Sequence, residues 1–141
     1  MGQQQLLLLV LGIVIVGLAV VVGIQAFGEN QKKANSDAVT NDVIRIASDA
    51  QAWSLKPTAF GGGNGNLAGA TLEALGYDVT GSSYTNLNGS YTLAVHGTGL
   101  LITGLNTDRD NGVKAAVCGT SPGDITTAVG TAAVGDPPTC S

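Results

Sequence analysis

LLLLVLGIVIVGLAVVVGIQAF, Leu6–Phe27, is the stretch whose reading decides the fold. It is apolar almost throughout, Gln25 is its one strongly polar member, and no charged side chain precedes Glu29. About 20 consecutive apolar residues are what a helix needs to cross a bilayer core. A secretory signal has a shorter apolar core, of about 7–15 residues, with basic residues before it. Met1–Gln5 holds neither Lys nor Arg. The segment therefore reads as part of the working protein rather than as an ordinary cleaved signal.

Beyond Phe27 no proline or turn pair occurs before Lys56, so the helix is expected to run on. Val39, Val43, Ile46, Ala50 and Trp53 recur at spacings of 4, 3, 4 and 3, which places them on one face. Asp42, Arg45 and Asp49 fall outside that arc. Pro57 biases Lys56 out of the helical region and ends the run. The expected helix spans about 50 residues, or about 75–80 Å at 1.5 Å per residue. Its apolar half, residues 1–28, is greasy all round. Its amphipathic half, residues 29–56, has one face to bury.

Small residues mark the apolar half. Gly12, Gly17, Ala19, Gly23 and Ala26 are candidate positions for close helix–helix packing. Gly12, Ala19, Gly23 and Ala26 lie within about 60° of one another at 100° per residue. Small residues on one face let apolar helices approach closely.

Residues 57–141 have room for one small β-rich head. Thr58–Asn66 (TAFGGGNGN) reads as a flexible connector: no Lys-Ser/Thr follows its glycines and no strand precedes them, as a phosphate-binding loop requires. Leu67–Leu75 reads as a short helix stopped by Gly76, and 77–89 as irregular. Tyr91–His96, Leu100–Leu105 and Val113–Cys118 are short strand-like runs, with Ile125–Val129 a fourth candidate. Asn111-Gly112 is the expected reversal between the second and third runs. One face of this antiparallel meander, packed on the Val39–Trp53 stripe, would complete a two-layer α+β core. So small a head gains from a staple. Cys118 and Cys140 lie in a Gly/Thr/Pro-rich region without metal-ligand neighbours; they are either a disulfide, which requires an oxidising compartment, or two buried thiols.

Composition narrows the function. Charged residues make up 11% of the chain and the net charge is −4, with six scattered Lys and Arg, so no basic patch for nucleic acid is present. No acid, base, nucleophile or metal set converges in sequence, and neither an enzyme nor a cofactor is expected. His96 stands alone and reads as structural. Asn106, Asp108 and Asp110 alternate like the start of a calcium loop, but the glycine falls one place late and no Glu closes the set, so they read as a polar hairpin tip. Asn88-Gly-Ser90 matches a glycosylation sequon. The aromatics Phe27, Trp53, Phe60, Tyr77, Tyr84 and Tyr91 are scattered and read as core and turn residues.

An apolar N-terminal helix running into an amphipathic half, a small antiparallel sheet, and a cysteine near the C-terminus able to pair with an earlier one: in these features the chain resembles the type IV pilin family and its pseudopilin relatives. The residues that carry the likeness are Leu6–Phe27, the Val39–Trp53 stripe, and Cys118 with Cys140. The resemblance implies a structural subunit held in the inner membrane before assembly and then packed with identical copies into a helical surface filament. A prepilin peptidase and an assembly machine would be its partners, with Gly2 and Gln3 the candidate processing site. The chain departs from the family pattern twice. The usual Glu at the fifth mature position is Gln5 counted from Met1, or Leu7 counted from Gln3, and the apolar half has no proline. Lys32 and Lys33 would by charge bias hold the head in the cytoplasm. The cysteines and the weakly charged, Gly/Thr-rich head argue for the exterior, and a basic leader already removed would reconcile the two. Alternatives to a filament subunit are a pseudopilin of a secretion apparatus and a single-span, membrane-anchored binding module acting as a monomer.

Overall fold

Pro57 decides where the long helix stops. The computed structural model describes residues 2–131 and 133–141. Helix α1 spans Gly2–Leu55, and Pro57 follows with φ −61° and ψ 150°. Six strands come next: β1 Val79–Thr80, β2 Ser83–Thr85, β3 Gly89–His96, β4 Gly99–Asn106, β5 Asn111–Val117 and β6 Ile125–Thr131. The fold is α+β, as the sequence pattern predicts. The chain divides into two compact units, Met1–Ala34 and Asn35–Ser141.

The described residues of unit Met1–Ala34 are helix alone. Those up to Phe27 are all solvent-exposed, Leu7 at 71% and Ile24 at 68%. By length and composition it is apolar enough to cross a membrane.

Unit Asn35–Ser141 contains the rest of α1 and an antiparallel sheet in the order β1-β2-β3-β4-β5-β6. The stripe buries as its spacing predicts: Val39, Val43, Ile46, Ala50 and Trp53 join Tyr91, Leu100, Ile102, Val113, Ala115 and Val117 in one core. Gly104, opposite Tyr91 and Val113 in the sheet, lets the helix approach closely. A Cβ there would lie 2.6 Å from Val43 and 2.8 Å from Val39.

The head has more strands than the three or four expected, because 79–85, read as irregular, pairs as β1 and β2. The β4–β5 reversal is made by Thr107–Asp110, with Arg109 at φ +57° and its N–H on the Asn106 carbonyl. Asn111 and Gly112 instead open β5, opposite Thr131 and Gly130 of β6, with Gly112 also opposite Leu105 of β4; this ladder pairing overrides the turn preference of the pair. Leu67–Leu75 is a succession of turns, not a helix. The turns let Leu67, Ala70 and Leu72 each drop into the core, which one continuous helical face could not do from this path.

Residues 58–66 are not a loose connector either. The N–H groups of Gly63, Asn64 and Gly65 donate to the carbonyls of Trp53, Lys56 and Ser54. They satisfy acceptors that every helix C-terminus leaves over, and are thereby spent.

The C-terminal segment is a strap. Val113 faces the helix, so Lys114 next to it faces the other side of the sheet. There Asp136 pairs with Lys114 at 2.6 Å, Pro137 is buried, and its carbonyl accepts a 3.1 Å hydrogen bond from His96 Nε2. Cys140 bridges to Gly97 and is joined to Cys118, Cα to Cα 5.0 Å. The disulfide closes a separation of 22 residues, worth about 3 kcal/mol in chain-entropy terms.

Candidate functional site

Two surfaces carry the chain's chemistry, one in each unit. The first is the apolar helix surface of Leu6–Phe27. At Gly12, Gly17 and Gly23 an added Cβ would meet nothing within 4 Å, so the small-residue face with Ala19 and Ala26 is open. Gly2 and Gln3, the candidate processing residues, are exposed in the first turn of α1; Met1 lies outside the described residues.

The second is a polar ladder on the head. Tyr77, Tyr84 and Tyr91 stand in a row, with ring centroids 4.9 Å apart between the first two and 5.9 Å between the last two. Sheet register makes the row: Tyr84 lies opposite Tyr91 and beside Val79. Two carboxylates of α1, seven residues and hence two turns apart, accept hydrogen bonds from the phenols. Tyr77 donates to Asp49, and Tyr91 donates to Asp42 at 2.6 Å. The same Asp42 oxygen accepts from Asn86 Nδ2 at 2.9 Å and Asn88 Nδ2 at 2.7 Å.

This arrangement sets the protonation states. Burial pushes the Asp42 carboxyl up, but hydrogen bonds from Asn88, Tyr91 and Asn86 and the charge of Arg45 outweigh it, and its pKa is held below the ordinary carboxylate value. Tyr77 and Tyr91 move the other way. Burial first, and then the carboxylates they bond, raise both phenols well above the ordinary tyrosine range. Tyr91 is therefore a neutral phenol on the charged Asp42 carboxylate, and with the Tyr77–Asp49 hydrogen bond it fixes the 77–91 segment against α1.

By sequence Asp42 and Asp49 fall off the buried stripe and the tyrosines lie apart; the fold brings all five together. One signal was available. On a helical wheel Asp42 and Asp49 fall within about 60° of Ile46, at the border of the buried stripe. Asn88 is exposed at the β2–β3 turn, its amide nitrogen on Asp42. Asn106 is buried and its Oδ1 accepts from the Asn111 N–H, so it serves the hairpin tip. Gln51 is also buried, donating to the carbonyls of Gly119 and Ser121 at 2.8 Å each.

At the other end of β2 lies an open cleft of about 240 Å³, lined by Ala70, Thr71, Leu72, Glu73, Val79, Gly81, Ser82 and Leu93. Glu73 is its one ionisable group. Among the described residues no cluster of three or more His, Cys, Asp or Glu side chains is placed to hold a metal ion. Compared with family models, with curated proteins and with solved structures, the chain matches none of them.

Proposed function

We propose that this chain is the subunit of a type IV pilin-like surface filament, anchored in the membrane by its apolar helix and then polymerised through it. The observation that carries this reading is the exposure of every residue from Leu6 to Phe27 in a chain whose head buries a hydrophobic core of its own. Such a surface needs lipid or copies of itself. Each Leu, Ile or Val withdrawn from water contributes about 1.5–3 kcal/mol, and the open face of Gly12, Ala19, Gly23 and Ala26 favours helix against helix. The disulfide favours an oxidising exterior for the head.

The test is Ala19→Lys, which puts a charge on the packing face at a cost of about 2.5–3.5 kcal/mol in an apolar surround. Negative-stain micrographs of the surface material should show filaments from the unmodified chain and none from the variant, with the head's disulfide intact in both. Normal filaments from the variant would refute helix-driven assembly. A detergent-solubilised monomer that never forms filaments would favour the membrane-anchored module instead.

A further inference from the structure

The disulfide closes a loop that is already mostly closed. Between Cys118 and Cys140 lies β6, which pairs with β5 along its whole length, from Val117 opposite Ile125 to Asn111 opposite Thr131. What the covalent bond alone adds is a tie on the segment after Thr131. The helix-facing core does not use that segment: none of its members lies beyond Ile125.

The segment is thinly held by everything else. Of residues 133–141 only Pro137 and Cys140 are buried, and 134–139 have no regular backbone pairing. Asp136, on Lys114, is 53% exposed, and a pair so open to water contributes little. His96 Nε2 meets the Pro137 carbonyl. At the end Thr98 makes two long hydrogen bonds, its N–H to the Cys140 carbonyl at 3.4 Å and its Oγ1 to the Ser141 carbonyl at 3.3 Å. Ordering each residue of such a segment costs conformational entropy that these few contacts have to offset.

We infer that the Cys118–Cys140 disulfide is a redox latch for the C-terminal strap: a dithiol reductant frees 133–141 from the sheet and leaves the head folded. Access favours the reaction at one sulfur. Cys118 is exposed, whereas Cys140 is 5% exposed. A thiolate of the reductant attacks Cys118 Sγ, the S–S bond breaks, and Cys140 leaves as a thiolate that takes up a proton. The second thiol of the reductant then displaces Cys118, which also ends as a thiol. Two electrons have passed from the dithiol, which is left as a disulfide.

Release uncovers the face of the sheet turned away from α1. Gly112 and Ala116 alternate with Val113, Ala115 and Val117, which face the helix, yet both are buried on the opposite side. The strap follows that side. A Cβ on Gly130, opposite Gly112, would lie 3.3 Å from Val134, and Asp136 pairs with Lys114. Where it ends, the β3–β4 hairpin makes room with glycines. A Cβ at Gly97, whose φ is +64°, would lie 2.0 Å from the Cys140 carbonyl oxygen, and one at Gly99 would lie 2.6 Å from Cys140 Sγ. The seat is shaped to the strap, but the hold on it is covalent.

The experiment uses the full chain in detergent micelles in three forms: oxidised, reduced with dithiothreitol, and as a Cys118→Ser, Cys140→Ser double variant without reductant. Amide hydrogen exchange is read by NMR. In the second and third forms the Thr98 N–H should exchange at least about tenfold faster than in the first, while the amides of Ile102 and Ala115 keep their protection to within about twofold, the signature of local opening. Loss of protection at Ile102 and Ala115 along with Thr98, or a double variant that does not fold, would show that the disulfide supports the whole head and would overturn the latch. Thr98 protection that survives reduction would overturn it from the other side, with the strap held by its non-covalent contacts. The latch does not depend on the polymer reading, and none of these results alters that reading.

Discussion

The hydroxyl of Tyr91, on β3, donates a 2.6 Å hydrogen bond to Asp42 on α1, and the same carboxylate oxygen accepts from Asn86 and Asn88. One side chain of the helix thus holds the strand and the turn that leads into it. Tyr91 is fully buried, so its hydroxyl has no water to fall back on.

Asp42→Ala removes the acceptor shared by three donors. Hydrogen bonds to a charged group contribute about 1.5–3 kcal/mol each in favourable cases, and a buried donor left unmet costs about 1–3 kcal/mol. A loss of about 2–3 kcal/mol is expected, read as a fall in the thermal midpoint of the head. Asp37→Ala, at an exposed position of the same helix, should stay within about 0.5 kcal/mol. Equal midpoints for the two variants would show that the ladder does not support the fold.

The ladder also sets the pH range of the head. Asp42 has a lowered pKa in the folded state, so its contribution is present above the ordinary carboxylate value of about 3.9 and is lost as pH falls through the lowered one. Tyr77 and Tyr91 have raised values, so theirs is present below about pH 10 and is lost as pH rises through the raised ones. The thermal midpoint should therefore fall at both extremes. Tyrosinate absorbance from Tyr77 and Tyr91 should appear only together with unfolding, and Tyr91→Phe should flatten the alkaline limb. Ionisation of Tyr77 and Tyr91 near pH 10 with the head still folded would contradict this account.

At Gly104 the helix packs tightly on the sheet. Replacement of Gly104 by Ala sets a methyl 2.6 Å from Val43, 2.8 Å from Val39 and 3.1 Å from Tyr91. Overpacking of this kind costs about 1–3 kcal/mol. Val43→Ala in the same chain should recover part of the loss, a coupling of at least about 0.5 kcal/mol in a double-mutant cycle. Strict additivity of the two changes would argue against the contact.

What the sequence by itself determined is whatever depends on period and local chemistry. The 4-3-4-3 stripe of Val39, Val43, Ile46, Ala50 and Trp53 names the buried face because helical geometry repeats on that interval. Pro57 ends α1 two residues after Leu55 because its ring restricts the residue before it. Four strands follow from short apolar runs between turn signals, and the two cysteines pair as one of the two alternatives predicted.

The tertiary structure decided what depends on partners far along the chain. Asp42 and Asp49 look like charges off the buried face until β3 brings Tyr91, and the segment before β1 brings Tyr77, to them, across separations of 49 residues for Asp42–Tyr91 and 28 for Asp49–Tyr77. Asn111-Gly112 has the composition of a turn, but ladder bonds to β4 and β6 outweigh local preference and move the reversal to Thr107–Asp110. The glycines of 58–66 signal freedom in isolation, and only the unpaired carbonyls at the end of α1 turn them into a cap. Local periodicity reports which face is buried; it does not report which polar groups at the border of that face find a partner there, because that is fixed by sheet register.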